Sequence, residues 1–315
     1  MKDRNLSTSS TSGELPLARQ GVAVSIARPD KTPPRQNRAR RLLRRLTRDP
    51  LSTLGGVLIL LILIVALVGP AITPYNPVKA DYSVIQKPPS AQHLFGTDEL
   101  GRDVLTRVIY GSQISLIIAI AVNSVSAFIG LMVGGLAGYW GGAVDEILMR
   151  ITDIFQSFPW LLFAIAIALV IGPNLINSML VLSLIWWPGY ARLVRGQVLA
   201  ARSYEFVEAA QSLGASHARI FFYHILPTAF GPYVVMLTIG AGRMILATST
   251  LSFVGLGAQP PTPEWGAMVA DGRTLLFNSW WISTFPGIAI LITAVGFNLV
   301  GDSLRDLLDP HSSVR

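Results

Sequence analysis

Long runs without a charged residue are the feature that most limits what this chain can fold into. No residue between Asp49 and Lys79 is charged, and none between Arg107 and Asp145 is charged either. About 20 apolar residues in a helix cross a hydrocarbon core about 30 Å thick. Soluble chains have about a quarter of their residues charged, whereas here 14% are charged and 51% are hydrophobic. The sequence therefore predicts an all-α integral membrane protein.

Six membrane spans are predicted from these runs, with five or seven as alternatives because the third and fourth share one run. Gly69-Pro70 closes the first span, and the glycine-rich residues 134–142 are predicted to form an exit turn after the second. Residues 172–174, Gly-Pro-Asn, predict a tight connection inside the uncharged run 154–191. The six spans are expected at about 54–67, 113–136, 156–171, 176–190, 230–250 and 282–300.

Arginines near the span ends indicate which side each loop faces. One group lies just before the first span: Arg40, Arg41, Arg44, Arg45 and Arg48. A second group lies between the fourth and fifth spans: Arg192, Arg195, Arg202 and Arg219. Basic residues close to a span favour the cytoplasm. Both termini and the segment at about 191–227 are thus expected inside, and the segments at about 70–112 and 251–281 outside. Four basic residues in 70–112 count against this topology.

The charge distribution separates the N-terminal segment from the rest. Residues 1–50 contain twelve Lys and Arg against four acids, so the remaining residues sum to about −1 within a total of +7. We expect residues 1–48 to be a basic, largely disordered cytoplasmic tail. Residues 49–310 would form the six-span domain and residues 311–315 a short cytoplasmic tail. Because the basic residues do not spread over the fold, no nucleic-acid partner is expected.

The segment between the fourth and fifth spans has its own helical pattern. Residues 205–213 favour a helix, and Gly214 supplies a left-handed stop. Ser216 is placed to cap a second helix that runs to Leu226 and is interrupted by Pro227. A connector between two spans needs far fewer than about 35 residues. The segment is therefore predicted to bind a partner outside the bilayer.

This segment resembles the EAA loop of ABC-importer permeases. The matching residues are Glu208-Ala209-Ala210, Gly214 and Leu226-Pro227, whereas His224 stands where the family pattern has Ile. Three further segments, 93–103, 255–266 and 298–310, are similar to motifs of dipeptide and oligopeptide permeases. The resemblance covers about residues 50–310 and points to the C-type subunit of such an importer.

The resemblance implies a type I ABC importer permease fold in the bacterial inner membrane, with a cytoplasmic coupling helix. Its implied partners are a homologous second permease, two ABC ATPase subunits, an extracytoplasmic solute-binding protein and the lipid bilayer. The implied ATPase-coupling residues are Glu205, Glu208, Ala209, Ala210, Gly214, Leu226 and Pro227. The implied external docking residues are Gly96, Thr97, Asp98, Gly101, Arg102, Asp103, Pro260, Pro261, Trp265 and Gly266.

No cofactor, metal or catalytic site is expected on this chain. A phosphate-binding loop needs a lysine after a glycine-rich turn, and none of the four lysines, Lys2, Lys31, Lys79 and Lys87, has that context. ATP and Mg²⁺ should therefore bind the partner subunits. The chain has no cysteine, and its four histidines lack metal-ligand spacing. We expect a transport component that is not itself an enzyme.

Polar residues within the spans are candidates for the translocation path. Arg243 is the one charge well inside an apolar stretch, where it costs at least about 2.5–3.5 kcal/mol unless it faces protein or water. It would either line the path or extend to an interface. Asn123 and Asn298 would either touch solute or hydrogen-bond neighbouring helices. Likewise Asp98, Arg102, Asp103 and Arg107 would either serve docking or cap and orient the second span through ion pairs.

Two other functional classes remain as alternatives. A secondary transporter driven by an ion gradient would need acids inside the membrane, and none of the 18 Asp and Glu lies in a span core. A membrane scaffold without a transport role would leave the external motifs without a purpose. The solute stays open at this stage. The family resemblance implies a dipeptide, a longer peptide, glutathione or a metal chelate.

Overall fold

The computed structural model describes residues 49–308, so the predicted N-terminal tail and the last seven residues lie outside the described part. Its regular structure is helical apart from one isolated bridge, Thr97 to Asp103. The nine longer helices are α1 Pro50–Ile72, α2 Val104–Trp140, α3 Gly142–Ser157, α4 Trp160–Ile171, α5 Leu175–Arg202, α6 Glu205–Ser212, α7 His217–Phe253, α8 Trp265–Gly272 and α9 Trp281–Leu308. Within α7, Ile220–Ile225 is π-helical.

Side-chain caps set the starts of the long helices. The carboxylate of Asp49 accepts a hydrogen bond from Ser52 N ahead of α1, with Pro50 in the first turn. Asp103 caps α2 through Thr106 N at 2.8 Å, and Asn174 caps α5 through Ile176 N at 2.9 Å. Each cap satisfies a donor that has no partner within its own helix. The predicted start of the fourth span at 176 is one residue from the start of α5, whereas α2 begins at Val104, nine residues before the predicted start of the second span.

Contacts between sequence-distant residues define two ends of the helix bundle. At one end, here called the loop end, Trp281 Nε1 donates to Thr97 O at 3.0 Å. At the other, here called the α6 end, Tyr139 OH and His217 Nδ1 are 2.8 Å apart. The start of α1 and the last turns of α9 lie together, because the hydroxyls of Ser52 and Ser303 are 2.5 Å apart.

Four of the six predicted spans correspond to helices long and apolar enough to cross a membrane: α1, α2, α7 and α9. The bent pair α3 and α4, with 89° between its arms, makes a fifth if it is one span. The predicted fourth span lies in α5, which does not meet the same criterion, so the count of six is not reached by length and composition. Helix α5 packs between α2 and α7, and its buried residues include Ser178, Ser183 and Tyr190. Burial against protein tolerates such polar groups better than lipid does.

The predicted exit turn after the second span is wrong, because α2 continues through the glycines to Trp140. Three glycines at four-residue spacing, Gly130, Gly134 and Gly138, lie on the α2 face that packs against α5. A Cβ on Gly138 would lie 2.9 Å from Val198 Cβ, and one on Gly134 would overlap the backbone of Ala191. Small residues allow this close helix approach. The chain turns only at residues 141 and 142, two glycines with φ of +67° and +53°.

Adding one methyl group to this interface tests the close approach of α2 and α5. Gly134→Ala places a Cβ against the rigid backbone of Ala191 and should destabilise the protein by about 1–3 kcal/mol. Gly56→Ala, on α1 with nothing within 4 Å of the added atom, is the matched control. It should be neutral or stabilising by about 0.5–1 kcal/mol. Thermal unfolding in detergent measures both, and equal melting temperatures would contradict the assigned packing.

Two prolines do not end their helices as predicted. Pro70 lies inside α1, which continues to Ile72. Pro227 lies within the continuous helix α7, just after the π-helical turn, where Leu226 N donates to Phe221 O five residues back. A proline lacks an N–H and its ring clashes with the preceding turn. A wider π-helical turn lies immediately before Pro227, and α7 continues through the proline without ending. The predicted interruption of the second helix at Pro227 is therefore wrong.

Candidate functional site

Helix α6 is held to the bundle by a single buried side chain. Val207 is completely buried and lies in a cluster with Tyr139, Val194, Val198, Ala201, Ile220 and Ile225. The candidate coupling residues Glu205, Glu208 and Ala209 are exposed, and Ala210 is half-buried. Both acids lie in the first turn, where the helix dipole favours a negative charge. The arrangement leaves one face of α6 free while Val207 connects it to α2, α5 and α7.

Gly214 ends α6 as the sequence predicted. Its φ is +77°, and Ala215 N donates to Ala210 O at 3.1 Å, which closes the turn. Ser216 Oγ then accepts from Arg219 N at 3.4 Å at the start of α7. Because α7 continues without a break to Phe253, a movement of this segment would reach the loop end through one helix.

Large apolar side chains are exposed around α6. Leu213 is 87% exposed, Tyr223 is 77% exposed and Phe222 is 57% exposed. The exposed charged residues Glu208 and Arg219 lie in the same segment of the chain. An apolar patch interleaved with charges fits a protein partner better than lipid tails. We call these exposed residues together with α6 the α6 surface.

The first external motif forms a buried charge cluster at the loop end. Asp98 Oδ2 lies 2.6 Å from Arg102 Nε and 3.4 Å from Arg107 Nε, and all three side chains are at most 6% exposed. Asp103 caps α2 and also contacts His93 Nδ1 at 2.9 Å. These charges orient the start of α2 through ion pairs, which was the simpler of the two sequence interpretations.

The second external motif anchors α8 beneath the same loops. Glu264 is fully buried and its carboxylate accepts hydrogen bonds from Gly266 N and Ala267 N at 3.0 and 2.9 Å. Burial raises the pKa of Glu264, and these backbone hydrogen bonds act against that shift. Trp265 is also fully buried, and its Nε1 donates to Val108 O. A Cβ on Gly266 would overlap Ser249, so α8 packs tightly on α7.

The candidate docking residues are therefore mostly internal. Eight of the ten are buried in this chain, and the exceptions are Pro260 and Pro261, which are exposed. A docking protein would meet these two prolines and other exposed residues of the external loops, such as Leu94 and Phe277, rather than the buried charges. Docking by these loops stays a prediction.

The three candidate path residues have different surroundings. Asn123 is buried, donates to Leu237 O at 2.8 Å and accepts from Tyr190 OH at 2.5 Å. Asn298 donates to Ala294 O within α9. Asn123 therefore hydrogen-bonds neighbouring helices, which was one of the two predicted roles, whereas Asn298 bonds the backbone of its own helix. Arg243 is exposed, and among the described residues it has no hydrogen-bond or ion-pair partner.

Two cavities meet at Arg243. One, of about 440 Å³, lies beside the break between α3 and α4 and is lined by Phe158, Trp160 and Trp186. The other, of about 520 Å³, extends to Arg305 and Leu308 at the α6 end. Arg243 and Met236 line both cavities. Met236, Gly240 and Trp186 are not among the predicted path residues, although the first two precede Arg243 at helical spacing.

Within the described residues, no group of three or more His, Asp or Glu side chains is arranged to hold a metal ion. Outside the clusters already described, two acids of α3 pair with α5, with Arg195 Nη2 2.6 Å from Asp145 and Arg192 Nη2 2.6 Å from Asp153. These pairs hold the amphipathic α3 against α5 near the first cavity.

Comparison with known proteins finds two matching families. Residues 130–314 match the family described as binding-protein-dependent transport system inner membrane component, and residues 37–89 match the N-terminal TM domain of oligopeptide transport permease C. The probable D,D-dipeptide transport system permease protein DdpC of Escherichia coli is 45% identical over 84% of this chain and 89% of its own. The dipeptide transport system permease protein DppC of Alkalihalophilus pseudofirmus is 39% identical over 86% and 89%. The inward-facing MetNI methionine ABC transporter gives a TM-score of 0.49 at 20% identity, covering 61% of this chain and 94% of that chain.

Proposed function

Because this chain belongs to the family of binding-protein-dependent transport inner membrane components, as a permease subunit of an ABC importer, we propose that it translocates dipeptides or oligopeptides inward by alternating access. The family and the apolar helices place it in the inner membrane. The peptide solute is inferred from the relatives, whose names specify dipeptides or peptides. Neither an ion-gradient-driven transporter nor a scaffold is favoured by any of these relatives.

The α6 surface is the observation that supports ATP-driven coupling. It presents Glu205, Glu208 and the exposed Leu213 outward, whereas Val207 is packed into the bundle. A partner that grips the outer face would therefore move Val207 and the start of α7 together. Two ATPase subunits, which bind ATP and Mg²⁺, would supply that movement. One of them would contact this chain, and the other would contact a homologous second permease.

The remaining partners follow from the two ends of the bundle. We assign the α6 end to the cytoplasm and the loop end to the outside, so that both termini are cytoplasmic. An extracytoplasmic solute-binding protein would deliver solute at the loop end. The two cavities at Arg243 would form this chain's half of the path, which the second permease completes. ATP-driven closure at the α6 surface would turn the path outward, and hydrolysis would return it inward.

Single cysteines test this assignment, since the natural chain contains none. Leu213→Cys and Phe277→Cys replace apolar side chains that are 87% and 100% exposed at opposite ends of the bundle. A membrane-impermeant maleimide added to intact cells should label Phe277→Cys and leave Leu213→Cys unlabelled. In the purified transporter, a maleimide–benzophenone photo-cross-linker attached to Leu213→Cys should insert into an ATPase subunit on illumination, and the same reagent attached to Phe277→Cys should not. Reversed labelling would overturn the topology, and the absence of a cross-link from Leu213→Cys would contradict the coupling role.

A further inference from the structure

We propose that Arg243 binds a carboxylate in the translocation path, so that the path favours solutes with a free carboxylate over their neutral analogues. The proposal rests on the proposed function, because it treats the two cavities at Arg243 as part of the path. It goes further because it assigns part of the solute selectivity to this chain, in addition to any selectivity of a solute-binding protein.

Arg243 lies well inside the helix α7. It lies ten residues before the end of α7 at Phe253, or about 15 Å along the helix axis. A charge at that depth costs at least about 2.5–3.5 kcal/mol unless it faces water or a partner. Gly242 packs against α9, with an added Cβ 3.0 Å from Ala294 O, so the next residue faces away from that contact. Arg243 therefore projects into the cavities.

The surroundings of Arg243 show that its charge is not neutralised within the described part of the chain. It has no ion-pair partner there, whereas Asp98, Asp145 and Asp153 each pair with an arginine. Among the described residues neither cavity has an Asp or Glu in its lining, and the second also contains Arg305. Two cations without an acid in this lining attract anions. A guanidinium binds a carboxylate through two parallel hydrogen bonds, which gives orientation as well as affinity.

The walls of the first cavity fit the rest of a small peptide. Phe155, Phe158, Trp160 and Trp186 supply apolar and aromatic surface around a volume of about 440 Å³. The indole N–H of Trp186 has no hydrogen-bond partner in the described chain but is itself buried, so the exposed guanidinium of Arg243 supplies the donors of this cavity. Donors and aromatic surface without an acidic acceptor match a solute that presents a carboxylate and an apolar side chain. They do not favour a solute presenting only an ammonium group.

The rates at which a cysteine near Arg243 reacts with anionic and cationic thiol reagents test whether the path prefers anions. This test needs no transported solute. Met236 lines both cavities, lies two turns before Arg243 and is on the side toward which helical side chains lean. Met236→Cys in the assembled, reconstituted transporter should react with an anionic methanethiosulfonate about tenfold faster than with a cationic one, after normalisation to a free thiol. Adding Arg243→Gln should abolish this preference, and adding Arg243→Lys should retain most of it. Arg150→Gln, an exposed arginine lining neither cavity, should leave it unchanged.

Protection experiments then identify the carboxylate. Millimolar L-alanyl-L-alanine should slow labelling of Met236→Cys at least twofold, whereas its C-terminal amide should not. Equal protection by the two compounds, no protection by either, or a preference that survives Arg243→Gln would each overturn the proposal. Labelling does not depend on ATP coupling. A retained charge preference in a complex that fails to couple would therefore contradict the proposed function while leaving the carboxylate site intact.

Discussion

Glu208→Arg is expected to abolish solute-stimulated ATP hydrolysis by the assembled transporter, while the chain still inserts and folds. Glu208 is exposed in the first turn of α6, so its side chain is not needed for packing. The substitution places a cation at the positive end of a short helix and reverses the charge offered to the ATPase subunit. A like-charge contact at an interface costs several kcal/mol. We expect stimulated hydrolysis to fall by at least about tenfold, since 1.4 kcal/mol corresponds to one factor of ten.

Two further variants test whether α6 itself is responsible for solute-stimulated ATP hydrolysis. Glu146→Arg makes the same charge change at an exposed position of α3, and it should leave stimulated hydrolysis near the unsubstituted level. Replacing residues 205–214 with a Gly/Ser linker removes both the α6 surface and the buried Val207, so coupling should be lost altogether. Assembly is checked by size-exclusion chromatography and hydrolysis by phosphate release. Normal coupling in the linker variant would refute the coupling role of α6.

The predictions from sequence were most accurate where one local rule determined the structure. The helix–glycine–helix pattern at 205–216 has a capping serine and a left-handed glycine, and both features act within a few residues. Such signals need no knowledge of tertiary packing. The family motif in that segment was recognisable for the same reason.

The errors came from residues whose role depends on distant neighbours. The glycine-rich pattern of α2 predicts a turn, but the glycines form the contact with α5, whose residues lie 50 or more positions further along the chain. Pro227 predicts a helix break, although α7 continues through it after a π-helical turn. The sequence also does not indicate that Asp98 and Trp265 are buried, because the residues that cover them come from other loops and helices. Tertiary context overrides local propensity in each case.

Asp98→Ala is expected to be the most destabilising single substitution at the loop end. The Asp98 carboxylate accepts hydrogen bonds from Leu100 N, Arg102 N and Arg102 Nε, and it lies 3.4 Å from Arg107 Nε. Its removal leaves two buried guanidinium groups without their main counter-charge, and removing one partner of a buried pair costs about 3–5 kcal/mol. Asp271 also lies near both arginines, and burial raises the pKa of its carboxyl, so it replaces only part of the lost charge.

Glu99→Ala is the matched control, because it removes the same charge from the adjacent, exposed position. An exposed substitution of this kind changes stability by no more than about 0.5 kcal/mol. Thermal unfolding in detergent should therefore separate the two variants by about 10 °C, using roughly 2–4 °C per kcal/mol for a chain of this size. Limited proteolysis should cut the 73–103 loop of Asp98→Ala first, since Asp98 holds both that loop and the start of α2. Similar melting temperatures for the two variants would mean that the buried cluster does not hold the external motif in place.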